Sequence, residues 1–181
     1  MAENDLKSEG AIPIIKSAGN LEVLSLAKNF MRSDVGKPLA KLLKASKVLK
    51  KLHLEFNELM VAGAKWVSKG ISFNKSLEVL NIKGNIIGDE GLVLLASALT
   101  SSPNLKELDI SLNEVGPGGF QALCDVLPAC QLTSLTCAKN FLGDDVLGYF
   151  ATVLDQSKLQ RFDFSSCRLN DAGLIYLINA L

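Results

Sequence analysis

Apolar residues return along this chain at fixed places. Eleven-residue segments beginning at 21 (LEVLSLAKNFM), 49 (LKKLHLEFNEL), 77 (LEVLNIKGNII), 105 (LKELDISLNEV), 132 (LTSLTCAKNFL) and 159 (LQRFDFSSCRL) carry apolar side chains at their first, fourth, sixth and eleventh positions. The starts are 28, 28, 28, 27 and 27 residues apart. Within each segment the fourth and sixth positions alternate with mostly polar neighbours, the period of a strand with one buried face. Further on, Leu39, Val67, Leu95, Leu123, Phe150 and Leu177 share one offset, and Leu43, Ile71, Leu99, Leu127, Leu154 and Leu181 follow four residues later. Apolar pairs at i and i+4 behind mostly polar residues predict one face of a short helix. A glycine or small residue usually opens it, as at Gly63, Gly91, Gly119 and Gly173. Each unit therefore reads as strand, turn and helix.

A unit of this size cannot cover its own leucines, so neighbours must stack. Strands of successive units then pair in parallel, about 4.8 Å apart, with helices on the other side. The expected fold is α/β: a curved solenoid with a concave parallel sheet and a convex layer of helices. The LxxLxLxxNxL segments resemble the leucine-rich repeat family, and units of 27–28 residues are similar to its ribonuclease-inhibitor subtype. That resemblance spans six repeats over residues 21–181. It implies the fold but no particular function.

Asn29, Asn57, Asn85, Asn113 and Asn140 hold the ninth position, with Cys167 in their place in the sixth repeat. Aimed inward, such side chains are expected to form a ladder that satisfies buried backbone groups of adjacent turns. Residues 1–20 lack the segment, but Ile15 falls where an earlier repeat would put its last helical apolar residue, so they read as a cap or half repeat. At the other end, Leu181 is the last apolar position of repeat six with no polar unit behind it. Solenoid ends need cover, so a missing C-terminal segment or a partner packed on that end is expected.

Composition narrows the classes. With 48% hydrophobic residues and 19 basic against 19 acidic side chains, neither disorder nor a nucleic-acid or membrane preference is indicated. The charge is nonetheless uneven: residues 1–75 hold 13 basic and 7 acidic side chains, residues 76–181 hold 6 and 12. The start, MAENDLKSEG, has no charged-then-apolar signal pattern. Four cysteines without a CxxC pair read as reduced thiols of a cytosolic or nuclear protein.

Candidate chemistry thins out once the repeat is recognised. RFDFSSCRLN, residues 161–170, looks reactive, but its Cys167 is a ladder position and its Phe162 and Phe164 are core positions. Cys137 and Cys124 are expected in the core, and Cys130 partly exposed ahead of its strand. None has metal-ligand spacing, and no cofactor is expected. His53 shares its row with Ser25, Asn81, Asp109, Thr136 and Asp163, and lies two strands from Asp109, about 10 Å, too far for a base and its orienting acid. The outward rows of the sheet are the expected partner surface, with Val23, Lys51, His53, Glu55, Phe56, Val79, Lys83, Glu107, Asp109 and Arg161 as contacts and Phe56 and Leu112 as apolar groups at the rim. Lys37, Lys41, Lys44, Lys47, Lys50 and Lys51 form a basic stripe, expected to be a solvated face because no aromatics interleave with it. The function expected is a protein-binding scaffold, not an enzyme, or the recognition arm of a larger receptor, ligase or bacterial effector. The alternative comes from the distant resemblance to Ran GTPase-activating proteins, which implies that Arg32, early in the solenoid, acts on a small GTPase.

Overall fold

The structure, a computed structural model, describes residues 1–178. Six three-residue strands, β1 (Val23–Ser25), β2 (Lys51–His53), β3 (Val79–Asn81), β4 (Glu107–Asp109), β5 (Ser134–Thr136) and β6 (Arg161–Asp163), form one parallel sheet in chain order. Seven helices join and flank them: α1 (Lys7–Ser17), α2 (Gly36–Ala45), α3 (Met60–Ile71), α4 (Gly88–Leu99), α5 (Pro117–Val126), α6 (Asp145–Leu154) and α7 (Asp171–Ile178). Register follows the repeat, so Leu24, Leu52, Leu80, Leu108, Leu135 and Phe162 lie side by side. This is the expected solenoid.

The leucine columns fill the space between sheet and helices. The helical positions from Leu39 to Leu177 are all buried, as are Leu43, Ile71, Leu99, Leu127 and Leu154; Leu181 lies outside the described residues. In the last repeats phenylalanine replaces leucine, and Phe120, Phe150, Phe162 and Phe164 pack edge to face, with the Phe150 and Phe164 centroids 5.0 Å apart at 89°. Two core expectations fail at the ends. Leu21 is 44% exposed, because the residues before it supply a helix and a turn but no strand to cover it. Phe162 is only half-buried, since β6 is an edge strand.

The glycines expected to open the helices lie within the first turn instead, where helices crowd. A Cβ on Gly119 would stand 2.7 Å from the Asp89 Cα of α4, and one on Gly91 would stand 3.2 Å from the Ala64 Cβ of α3. Ahead of β1, the first residues trace the loop of a repeat without its strand. Glu3 N–H donates to Ala27 O and Lys7 N–H to Asn29 O, matching Lys28 N–H to Glu55 O one turn on and Met60 N–H to Asn85 O two turns on. Helix α1 then seats Ala11 and Ile15 against α2.

The asparagines form the expected ladder. The Asn113 amide donates to Ile82 O at 3.0 Å and Ile110 O at 3.1 Å, and its Oδ1 accepts from Asn85 N–H at 2.9 Å. Asn140 repeats this one turn on, accepting from Asn113 and Val115 N–H. Cys167 fills the next rung as a weaker substitute: its thiol donates to Cys137 O at 3.1 Å and meets the Asn140 N–H. At the opposite end Asn29 Oδ1 is buried without a partner.

Candidate functional site

Every second residue of a strand leaves the sheet, so the three-residue strands give this molecule its concave face. The first outward row runs Val23, Lys51, Val79, Glu107, Ser134 and Arg161. Arg161 reaches across Ser134 to Glu107, Nη2 to Oε1 3.9 Å. In the second row, register sets His53 beside Asn81 and Asn81 beside Asp109, so His53 and Asp109 are two strands apart as expected. The neighbour of His53 is Glu55, Nδ1 to Oε1 3.5 Å; the same Oε1 accepts from Asn81 Nδ2 at 3.0 Å, while Oε2 is buried without a partner. Asp163 accepts from the Ser165 N–H and hydroxyl, and those bonds hold its carboxyl below the usual range. The third row is less open than the alternation implies, since Ala27 and Ser111 are buried.

The expected contacts therefore divide. Lys51, His53, Glu55, Val79, Glu107, Asp109, Arg161 and Val23 share the concave surface, whose central hollow, about 220 Å³, is lined by His53, Val79, Asn81, Glu107, Asp109, Ser134 and Thr136. Phe56 stands on the rim, 42% exposed, its ring 5.6 Å from the Lys83 Nζ. Leu112 is half-buried there. Reasoning on the sheet rows alone missed the tenth repeat position, where Phe30 is 60% exposed and Ile86 and Phe141 are each 44% exposed. The signal was available, for large apolar residues sit between the ladder asparagine and the next core residue.

The thiols are not reactive groups. Burial raises all four above the ordinary thiol value, Cys124 to about 12 and the fully enclosed Cys137 well above it. Cys130 is 2% exposed, against the expectation of partial exposure, because its side chain turns back to donate to Leu127 O. Among the described residues no three His, Cys, Asp or Glu side chains gather as metal ligands.

The basic stripe is not one surface. Lys37, Lys41 and Lys44 lie on α2, Lys47 in the following loop, Lys50 pairs with Glu22 at 3.2 Å, and Lys51 belongs to the concave sheet. Aromatics do approach its helical part, unlike the sequence expectation: Lys44 Nζ lies 4.8 Å from the Phe73 ring, and Trp66 lines the same cleft. Arg32 pairs with Glu58, Nε to Oε2 3.5 Å, beside a cleft of about 450 Å³ lined also by Lys7, Ser8, Glu9, Phe30 and Asp34. No described helix is long and apolar enough to cross a membrane.

Known proteins give the same architecture. A family model described as Leucine Rich repeat matches residues 73–96, 101–124 and 156–177. Among solved structures, leiomodin-1 actin-binding site 2 superposes with a TM-score of 0.59 at 14% identity, covering 94% of this chain and 84% of that one. The tropomodulin C-terminal domain of Caenorhabditis elegans superposes with a TM-score of 0.57 at 15% identity, covering 96% of this chain and 90% of that one. No curated protein sequence matches. At such identities the superpositions speak to the fold alone, and the sequence motif agrees with them: this is a leucine-rich repeat fold, in which the family model matches three stretches.

Proposed function

We propose that this chain is a protein-binding scaffold without chemistry of its own, and that its partner lies on the concave sheet. The observation that carries this reading is the concave face itself: Lys51, Glu107, Asp109 and Arg161 stand on a sheet whose backbone is fixed by six paired strands. Such a surface loses little conformational entropy on binding, which favours affinity. Its hollow, about 220 Å³, is smaller than the roughly 300–1,000 Å³ of small-molecule sites, and mixed charge beside exposed apolar groups suits another protein. The leiomodin-1 domain, itself named an actin-binding site, makes actin the first protein to test. The GTPase-regulating alternative is weaker, because it rests on Arg32 alone, whose pair with Glu58 is solvent-exposed and leaves the guanidinium accessible.

The test is quantitative capture by the wild-type chain and by a Lys51→Glu, Asp109→Lys variant, with actin assayed separately. A partner held by wild type and lost by the variant supports the concave site. Equal retention of every partner rejects it.

A further inference from the structure

Five large apolar side chains follow one another along the loop rim, one per repeat. Phe30, Ile86 and Phe141 occupy the tenth position of repeats one, three and five; Phe56 and Leu112 occupy the eighth position of repeats two and four. Where one position is apolar the other is not. Lys28, Gly84 and Lys139 hold the eighth position of the odd repeats, and Glu58 and Glu114 the tenth of the even ones. The result is a zigzag with a two-repeat period, laid over a structure whose core has a one-repeat period. Single exposed apolar residues need no explanation, but four exposed groups and the half-buried Leu112 on five consecutive turns do.

The backbone sharpens the point. Phe30 (φ 53°), Phe56 (52°), Ile86 (57°) and Leu112 (55°) all adopt the left-handed region. There glycine and asparagine are favoured, and a β-branched residue such as Ile86 is a poor choice. Lys28, Glu114 and Lys139 share that backbone at the same positions, so the repeat sets the conformation and what stability alone does not explain is the choice of large apolar side chains there. Lys83 and Arg168 lie over the Phe56 and Phe141 rings, yet both rings stay exposed, and contact with something outside the chain accounts for that.

We infer that this rim docks an amphipathic α-helix of a partner protein, laid across the strands along the solenoid axis. The inference extends the protein-binding reading above and rests on it. Successive repeats are spaced by about 4.8 Å at the sheet, close to the 5.4 Å rise of one helical turn. The a and d residues of a heptad alternate from side to side as they climb, as the rim anchors do. About four turns would meet all five. An extended peptide fits less well, because the eighth-position N–H groups of repeats one to five, Lys28, Phe56, Gly84, Leu112 and Lys139, already donate to the next turn. The flanks specify charge as well: Glu114 and Lys139 make no ion pair among the described residues, so a basic group is expected beside the first and an acidic one beside the second. Interspersed glutamates disfavour a phosphate backbone or an anionic bilayer.

The test selects peptides from a displayed library of random 18-residue sequences on the whole chain, then measures their affinity for two variants. The rim variant is Phe30→Asn with Ile86→Asn, in which asparagine accepts the left-handed backbone and folding is preserved, as checked by thermal melting. The concave variant is Lys51→Glu with Asp109→Lys. The expected result is helical peptides with apolar residues at i, i+3 or i+4 and i+7, weakened at least ten-fold by the rim variant and unchanged by the concave one. Peptides weakened only by the concave variant overturn the rim site and leave the scaffold reading standing. Binders that are extended, or no binders at all, overturn the helical occupant; peptides indifferent to both variants count against both readings.

Discussion

At the residue scale the ladder asparagine carries the largest individual consequences. Asn113 donates to two buried carbonyls and accepts from the buried Asn85 N–H; truncating it strands that N–H, while Ile82 O and Ile110 O each keep one ladder amide, from Asn85 and Asn140. Each unsatisfied buried group costs about 1–3 kcal/mol. Asn113→Ala is therefore expected to lower stability by about 1–3 kcal/mol in urea melts. Cys167 makes the opposite case. A thiol is a weak donor and a weak acceptor, while an amide at that position could give both hydrogens to carbonyls and accept from Asn140 N–H, as Asn57, Asn113 and Asn140 do from the asparagine before them. Cys167→Asn should raise stability by about 1 kcal/mol. Equal or lower stability would mean that the last turn has no room for the larger side chain.

At the element scale, helices in this stack touch their neighbours at fixed points, and the glycines mark which contacts are closest. Gly119 in α5 lies under Asp89 of α4, whose Oδ1 also accepts from Gly116 N–H at 2.6 Å. A methyl group there must push the two helices apart, so Gly119→Ala should destabilise by about 1–3 kcal/mol. Gly148 in α6 is the control: an added Cβ meets only the Tyr176 ring at 3.6 Å, an ordinary contact. Gly148→Ala should gain about 0.5–1 kcal/mol from helix propensity. If both variants melt alike, helix crowding is not what glycine serves at 119. These positions also show how far the sequence could be read. The six repeats, strand register and ladder were legible because each follows from a periodic apolar pattern. The role of the glycines was not, since an offset shared by four residues does not distinguish a turn from a close approach. Exposure failed at Leu21, Cys130 and Ser111 for a related reason: a repeat pattern states which way a side chain points, whereas burial also depends on what lies beyond it. The rim anchors escaped because the sheet alternation that identified the concave rows ends before the tenth position.

For the molecule as a whole, each turn rests only on its neighbours, so stability is distributed along the stack and depends on what covers the two edges. The first edge has cover: α1 packs against α2, the bonds from Glu3 and Lys7 cap the loop that follows β1, and Leu24 and Leu26 are buried. At the other edge β6 has one strand neighbour, Phe162 is half-buried, and α7 leaves Leu174, Ile175, Tyr176 and Ile178 exposed. Opening should begin there. Two amides make the comparison clean, because Ile110 donates to Thr136 O and Cys137 donates to Asp163 O, each at 2.8 Å and each on a buried residue. Their bonds are alike and only their depth in the stack differs. Native-state hydrogen exchange should therefore find Cys137 exchanging at least ten-fold faster than Ile110, with the gap closing as urea makes global unfolding the dominant route. Equal rates in the absence of urea would show instead that the six strands open as one cooperative unit and that the exposed face of α7 costs the last repeat nothing.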